Sequence, residues 1–536
     1  MGTQLFVGGH VYTPSSPDAT AIAITDGVVS WVGTDDVGRA LHEGVETEDL
    51  EGAFVAPAFV DSHVHLTSTG LALEGLDLDD ARDRHDCLDR LRRHVADTPP
   101  GDLVWGLGWD ASRWTDDTPP STDEIDAVVG DRPVYLARID EHSAVASSAL
   151  RLIAGGLPDA QGFHPQMPLT AEAHHLVRAA ARELLSPVQR ERAQRRALDD
   201  ALAHGVVAVH ENGGPDISGL NDLAALSVLD HPVEVRRYWG QAVADADDAR
   251  ALLHATGAHG LAGDLFIDGA IGSHTAWLRE PYTDHPGHRG VSYLDHDTVL
   301  AHLRACTEAG IQAGFHLIGD AATQCLVDAL SVVVEEFGSV AVARCAHRVE
   351  HAEMVDTQAA QTLARAGVTA SMQPLFDALW GGPGDLYEQR LGTPRGTGLN
   401  DFASLARAGV TLAFSSDSPV TGIDPWAQIR AAVHHHNPVS AVSPRAAFAA
   451  CTRGGWRAAG ERDPMLGTLV PGAPADIAFW DAGDLVTAGS AESVQRWSTD
   501  PRSRTPPLPD VTPGVDLPTC RRVLRAGTEI HRRSGS

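Results

Sequence analysis

Two histidines two positions apart, His63 and His65 in the stretch AFVDSHVHLT, are the first residues in this chain whose type and spacing could do chemistry. In an extended strand, residues i and i+2 project the same way, roughly 7 Å apart along the backbone. Two imidazoles placed so can converge on one cation, and neutral imidazole is the commonest ligand of zinc-like metals. The run before them (Ala56, Ala58, Phe59, Val60) is apolar and turns polar at Asp61. That is the pattern of a buried strand whose C-terminal end opens into a site. Other titratable side chains stand where other apolar runs stop: His210 and Glu211, Asp268, His316, His351 and Asp417. A histidine at one strand end is ordinary packing. Histidines and aspartates at the matching end of separate strands are hard to explain that way.

The elements that must position them follow a strand-then-helix rhythm. Candidate strands are VVAVHENG (206–213), VEVRRYWG (233–240), DLFIDGA (264–270), IQAGFHLIGD (311–320), RCAHRVEHAE (344–353), VTASMQP (368–374) and VTLAFSSD (410–417). Helical segments such as TVLAHLRACTEAG, QAAQTLARAG and DFASLARAG separate several of them. With the strand carrying His63 they make up the set a (β/α)8 barrel needs, and such a barrel works at the C-terminal ends of its strands. Residues 3–55 read as short strands with a hairpin signal at Asp26–Gly27, and 467–481 and 521–531 have the same texture. The fold class expected is α/β, a distorted TIM-like barrel at 56–460 with one β-sandwich assembled from 1–55 and 461–536. Residues 70–195 keep no regular rhythm and are expected to be an insertion after the first barrel strand, with a helical stretch at 171–204.

Composition narrows the chemistry. The formal net charge of −31 argues against nucleic acid or anionic membrane as a partner. All basic residues besides histidine are arginine; the chain has no lysine, so no Schiff base and no carbamylated-lysine metal bridge can form. The 6 scattered cysteines show no CxxC pair and suit buried thiols in a reducing cytoplasm. No signal peptide or membrane-length apolar run is read, so a cytoplasmic location is expected. The expected partner is a small-molecule substrate, and a homodimer is left open. His174 and His175, and His434, His435 and His436, are neighbours on helices, where successive side chains diverge by about 100°; the first group reads as solvated or packing residues and the second as solvated or pocket-wall residues.

The sequence resembles the amidohydrolase superfamily, specifically amidohydrolase family 3, over nearly its whole length. The resemblance is carried by GAFVAPAFVDSHVHL, GWDASRW, DEHSAVASSAL, FIDGAIGSHTAWLREPY, FHLIGDAA, HRVEHAEM, SMQP, FSSDSPV and GTLVPGAPADIAFW. It implies a divalent metal, zinc foremost, one or two ions per chain, held by His63, His65, His316, His351 and Asp417. It also implies Asp417 and His351 as catalytic residues, Asp417 moving the proton from the attacking water to the leaving nitrogen. Trp109, Trp114, His142, Gln373 and Trp380 are candidates for lining the substrate pocket.

One departure bears on the metal count. Relatives often carry a bridging lysine four residues before the DG pair, and here that place is Asp264. With the fourth strand taken as 264–270, Asp264 sits at its start and reads as structural; Asp268 or Glu211 is left to bridge. Asp268 has a short reach, so one tightly held ion is expected, with any second one weak. The function expected is hydrolysis of a non-peptide C–N bond, an amide or N-substituted formamide. Deamination of a ring or amidine carbon is the alternative, and a barrel without catalysis the less favoured third.

Overall fold

The computed structural model describes residues 2–111, 114–116, 118–139, 143–215, 217–487 and 505–533. They divide into two compact units, the first made of 1–64, 199–217 and 230–536, the second of 65–198 and 218–229.

The first unit holds the barrel. Strands Phe59–Val64, Val206–Gly213 and Glu234–Trp239 form one parallel sheet, and Gly314–Leu317, Arg348–His351, Thr369–Met372 and Thr411–Phe414 another. Isolated parallel bridges join them into a ring. Val64 pairs with Ser418 on one side; on the other, Tyr238 pairs with Gly260, Leu261 with Ala313 and Phe266 with His316. The fourth barrel position is therefore reduced to bridges around 260–266 rather than a regular strand at 264–270, which is where the sequence expectation is corrected. Two of its bridges, at Gly260 and Leu261, lie in a Gly-rich stretch, and Gly263, at φ 96, turns the chain immediately before Asp264. Asp264 thus stands between the bridges at Leu261 and Phe266 instead of starting a strand.

The return helices form where the sequence carries their stops. Asp295, Asp356 and Asp401 cap helices His296–Ala309, Thr357–Ala366 and Phe402–Ala408 by accepting from Thr298, Ala359 and Ser404 N–H groups. Left-handed glycines at 310, 367 and 409 end the same helices.

The two chain ends share a sandwich. One sheet runs Val28–Gly33, Ala21–Thr25, Thr3–Val7, Glu46–Asp49; the other runs His10–Val11, Phe54–Pro57, Ile477–Asp481, Thr519–Arg525, Thr528–Arg532. Phe6, Ile22, Ile24 and Val55 from the start of the chain pack with Leu469, Ile477, Phe479 and Leu524 from its end. Phe59, at the start of the first barrel strand, packs on Trp426, Phe448 and Trp480 with ring centroids 5.4 to 5.5 Å apart. This aromatic plug anchors one end of the strand, and the histidines occupy the other.

The second unit has its own sheet, Leu169–Thr170, Ser143–Ala146, Val134–Arg138, Val104–Trp109, Leu76–Asp77, with apolar clusters centred on Tyr135 and Leu136. The stretch 171–204 forms helices Ala171–Glu183 and Pro187–Ala203. The cysteines are free and buried. Among the described residues no helix is long and apolar enough to cross a membrane.

Two buried histidines brace the reduced fourth position. His302 meets Leu261 O at 3.0 Å and accepts from Val243 N at 3.2 Å; His347 meets Thr307 Oγ1 at 3.0 Å and accepts from Ala313 N at 2.9 Å. Burial pushes His302 down to about 4 and His347 to about 3. Unfolded imidazoles titrate near 6.5, so below that pH the unfolded chain takes up protons that the folded barrel refuses, and stability falls towards pH 4 and 3. Each group loses about 1.4 kcal/mol per pH unit over that window. The stability advantage of wild type over His347→Gln is therefore expected to shrink by roughly 2 kcal/mol between pH 7 and pH 5. Urea melts of both proteins at the two pH values measure it; an unchanged difference would refute the assignment.

Candidate metal centre

His63 and His65 end the first barrel strand as the spacing predicts. Donor atoms of His63, His65 and Asp417 lie within 4.8 Å of one another, as do those of His63, Asp264 and His351. His63 Nε2 is 3.2 Å from Asp417 Oδ1 and 3.6 Å from Asp264 Oδ1. Asp264 Oδ1 is in turn 3.4 Å from His316 Nδ1 and 3.9 Å from His351 Nε2. The rings of His316 and His351 are 4.3 Å apart.

These separations suit cations. Donor atoms about 2.0 Å from a tetrahedral ion lie about 3.3 Å from each other. Neither ring nitrogen of His316, nor Nε2 of His351, has a hydrogen-bond partner, although both residues are buried. Burial alone would lower His63, but the Asp264 and Asp417 carboxylates overcome it and hold its pKa well above the usual imidazole range. Burial would raise Asp264, and the facing histidines instead pull it well below the carboxylate range. The centre thus favours positive charge among its donors, and its residues fit a divalent metal.

Second-layer contacts fix the rings. His63 Nδ1–H donates to Glu350 Oε2 at 2.9 Å, which turns Nε2 towards the two aspartates. Glu350 is held by Arg348 at 2.6 Å, and Arg348 also donates to His210 Nδ1 at 3.0 Å and to Ser62 O while stacking on Tyr238 at 4.6 Å. Burial and the Arg348 charge hold His210 well below the usual range, so it accepts that bond as a neutral ring. His351 Nδ1–H donates to Gln373 Oε1 at 2.8 Å, and Gln373 Nε2 donates to Ser415 Oγ at 3.0 Å. Asp61 accepts from Ser416 N at 3.1 Å and from His63 N at 3.2 Å, tying the first and last strand ends together. His351 and Asp417 both have left-handed backbones, φ 68 and 54, a strained state that clusters at active sites.

Several expectations are corrected. Asp264, read as structural, stands among the histidines. Asp268 does not bridge: Oδ1 accepts from Ile318 N at 2.9 Å, and Oδ2 from Trp277 N and Gly319 N at 2.8 and 2.7 Å. It organises the loops beside His316, and burial pushes its carboxyl up to about 7. Glu211 is buried in register with Val64 but belongs to neither donor group. Gln373, read as a pocket-lining candidate, meets His351 through Oε1 and is itself fixed by Ser415 through Nε2.

The aromatic candidates divide in the same way. Trp109 and Trp114 lie in the core of the second unit, their indole N–H groups donating to Leu136 O and Ala81 O at 2.9 and 2.6 Å. Trp380 is half-buried against Phe376 and Tyr387. His142 lies outside the described residues. His435 and His436 contact Asp377, and His435 also meets Asn400 O. Glu350 and Arg348 were missed. Their signal is a pair of opposite charges at i and i+2 in the short strand that ends at His351.

A parallel barrel with clustered histidines and aspartates at the C-terminal strand ends defines a metal-dependent hydrolase acting on a C–N bond. The profile of the amidohydrolase family matches residues 46–530, and the chain belongs to that family, the third within the amidohydrolase superfamily. It is 28% identical over 527 residues to the protein LONG AFTER FAR-RED 3 of Arabidopsis thaliana, covering 89% of this chain and 88% of that one. It is 25% identical over 450 residues to the N-substituted formamide deformylase of Arthrobacter pascens, covering 75% and 77%. Among solved structures, an uncharacterized metal-dependent hydrolase from Pyrococcus furiosus superposes with a TM-score of 0.74 at 26% identity, covering 90% of this chain and 99% of the other.

Proposed function

We propose that the protein is a zinc-dependent hydrolase of small-molecule amides, with N-substituted formamides as the leading substrate class. The observation that carries this reading is the convergence of four ring nitrogens and two carboxylates on one buried centre. The Arthrobacter pascens relative supports the choice of formamides. His63, His65 and Asp417 would hold one ion. Asp264 would link it to a second ion held with His316 and His351. The expectation of a single tight ion rested on the lack of a lysine and the short reach of Asp268; Asp264, facing His63, His316 and His351, favours two. When bound, zinc supplies a water acidified towards neutrality and polarises the carbonyl oxygen.

The remaining work falls to the chain. Asp417 accepts a proton from the attacking water and passes it to the nitrogen as the C–N bond breaks, so amide and water become acid and amine. His351, oriented by Gln373, keeps Nε2 turned towards Asp264. Glu350 keeps His63 in the tautomer the centre needs.

Elemental analysis of the purified protein and of a His63→Ala, His65→Ala double variant tests the metal assignment. Zinc is expected in the wild type and lost from the variant; equal content in both would sink it. Amine release from a panel of N-formyl and N-acyl amines tests the reaction. Turnover confined to ring amines would replace the amide reading with deamination.

A further inference from the structure

Asp268 is a fully buried carboxylate that belongs to neither donor group. Its oxygens accept three backbone N–H bonds, from Ile318 at 2.9 Å, Trp277 at 2.8 Å and Gly319 at 2.7 Å. A carboxylate grips such donors more firmly than a neutral acceptor does, because each bond is charge-assisted. Two of the three donors lie two and three residues past His316. The turn that leaves His316 is therefore fastened to the loop that begins at Asp268. On its other side His316 is bonded through its own backbone, N to Leu265 O and O from Ile267 N, both at 3.0 Å.

The same turn carries a second load. Leu317 O accepts from Ala352 N at 2.9 Å, and Ile318 O accepts from Met354 N at 3.1 Å. These bonds hold the chain just past His351, where His351 and Ala352 stand in succession in the left-handed region, at φ 68 and 48. Two such residues in a row, neither of them glycine, persist only where the neighbouring structure fixes them. The fit at the junction is close. A Cβ on Gly319 would run into Trp277 O, and Ala321 N donates to that same oxygen at 3.1 Å.

We infer that Asp268 is a positioning residue for the second ion. By pinning residues 318 and 319 it sets where His316 and His351 present their ring nitrogens, without itself being a ligand. The inference rests on the two-ion reading and deepens it: one carboxylate, behind the centre, governs two ligands from separate strands.

Zinc affinities of the apo-protein, measured by chelator competition, test it. Asp268→Asn keeps the size of the side chain and gives up one acceptor oxygen. One zinc equivalent is expected to keep its wild-type affinity and the other to weaken at least about tenfold, the scale of partners that orient metal ligands, with circular dichroism unchanged. A double-mutant cycle separates positioning from general loosening of the fold: in a His316→Ala background the loss caused by Asp268→Asn is expected to shrink at least about threefold. Wild-type affinity at both equivalents in Asp268→Asn would overturn the inference. So would equal weakening of both, or a loss of undiminished size in the His316→Ala background. Gly319→Ala disturbs the same junction with the carboxylate intact, and decides by the same criteria where Asp268→Asn does not fold. A wild type that takes up a single equivalent removes the two-ion reading instead. Asp268 then keeps its positioning role if Asp268→Asn weakens that one ion at least about tenfold, and loses it otherwise.

Discussion

Asp417→Asn is expected to fold and bind metal while hydrolysing its substrate about 10²-fold or more slowly, the scale of a lost acid–base group. The backbone argument favours folding. Asp417 sits at φ 54, its N–H donates to His63 O at 2.9 Å, and its carbonyl accepts from Val420 N. Asparagine is among the few side chains that adopt this left-handed state readily, so the turn survives. The amide oxygen can still face His63 Nε2, where Asp417 Oδ1 now lies at 3.2 Å. What it cannot do is take up a proton and release it. Rates measured on a verified substrate, with metal content and circular dichroism alongside, decide the matter. Near-normal turnover in a well-folded variant would remove Asp417 from the proton path.

The second large effect is expected at Asp264. Asp264→Ala should bind about one zinc equivalent where the wild type binds two, and lose activity by at least about 10²-fold. Even outer-layer partners of metal ligands are worth about 10 to 100-fold, and a shared ligand is worth no less. Two dications a few Å apart repel strongly in a partly dehydrated centre. Asp264 is the anion that faces His63, His316 and His351 together, and no lysine exists to replace it. Titrating zinc into the apo-protein, with activity and bound metal followed together, measures both numbers. Wild-type stoichiometry and activity in Asp264→Ala would return the bridge to another residue.

Much of this centre was readable before any coordinates. The pair His63 and His65 is legible because strand geometry alone makes i and i+2 neighbours, and His316, His351 and Asp417 because each closes an apolar run. Asp264 was misread for a physical reason. Only isolated bridges at Gly260 and Leu261, in a glycine-rich stretch, precede it, so the apolar Leu265, Phe266 and Ile267 after it looked like the strand, and Asp268 like its functional end. In the fold, Asp268 spends its oxygens on three backbone N–H groups. Trp109 could not be sorted from the sequence because an indole in a core and one in a pocket have the same local pattern. Gln373 was read as a pocket-lining candidate, and its contact with His351 was not legible because it depends on the pairing of adjacent strands. The paired chain ends were legible from texture alone.

That pairing has a consequence for how the protein is made. Strand Phe54–Pro57 is hydrogen-bonded to Ile477–Asp481, with Phe54 opposite Trp480. A ribosome adding about 5–20 residues per second takes on the order of a minute to deliver the second strand after the first. Through that interval Phe54 and Val55 wait beside the nascent barrel with a permanent neighbour still unsynthesised. An exposed apolar edge of this kind invites association between growing chains. Yield of native protein should therefore depend on translation speed and on chaperones that shield the sheet already made, and emergence of Ile477–Asp481, Thr519–Arg525 and Thr528–Arg532 is the event that completes the sandwich.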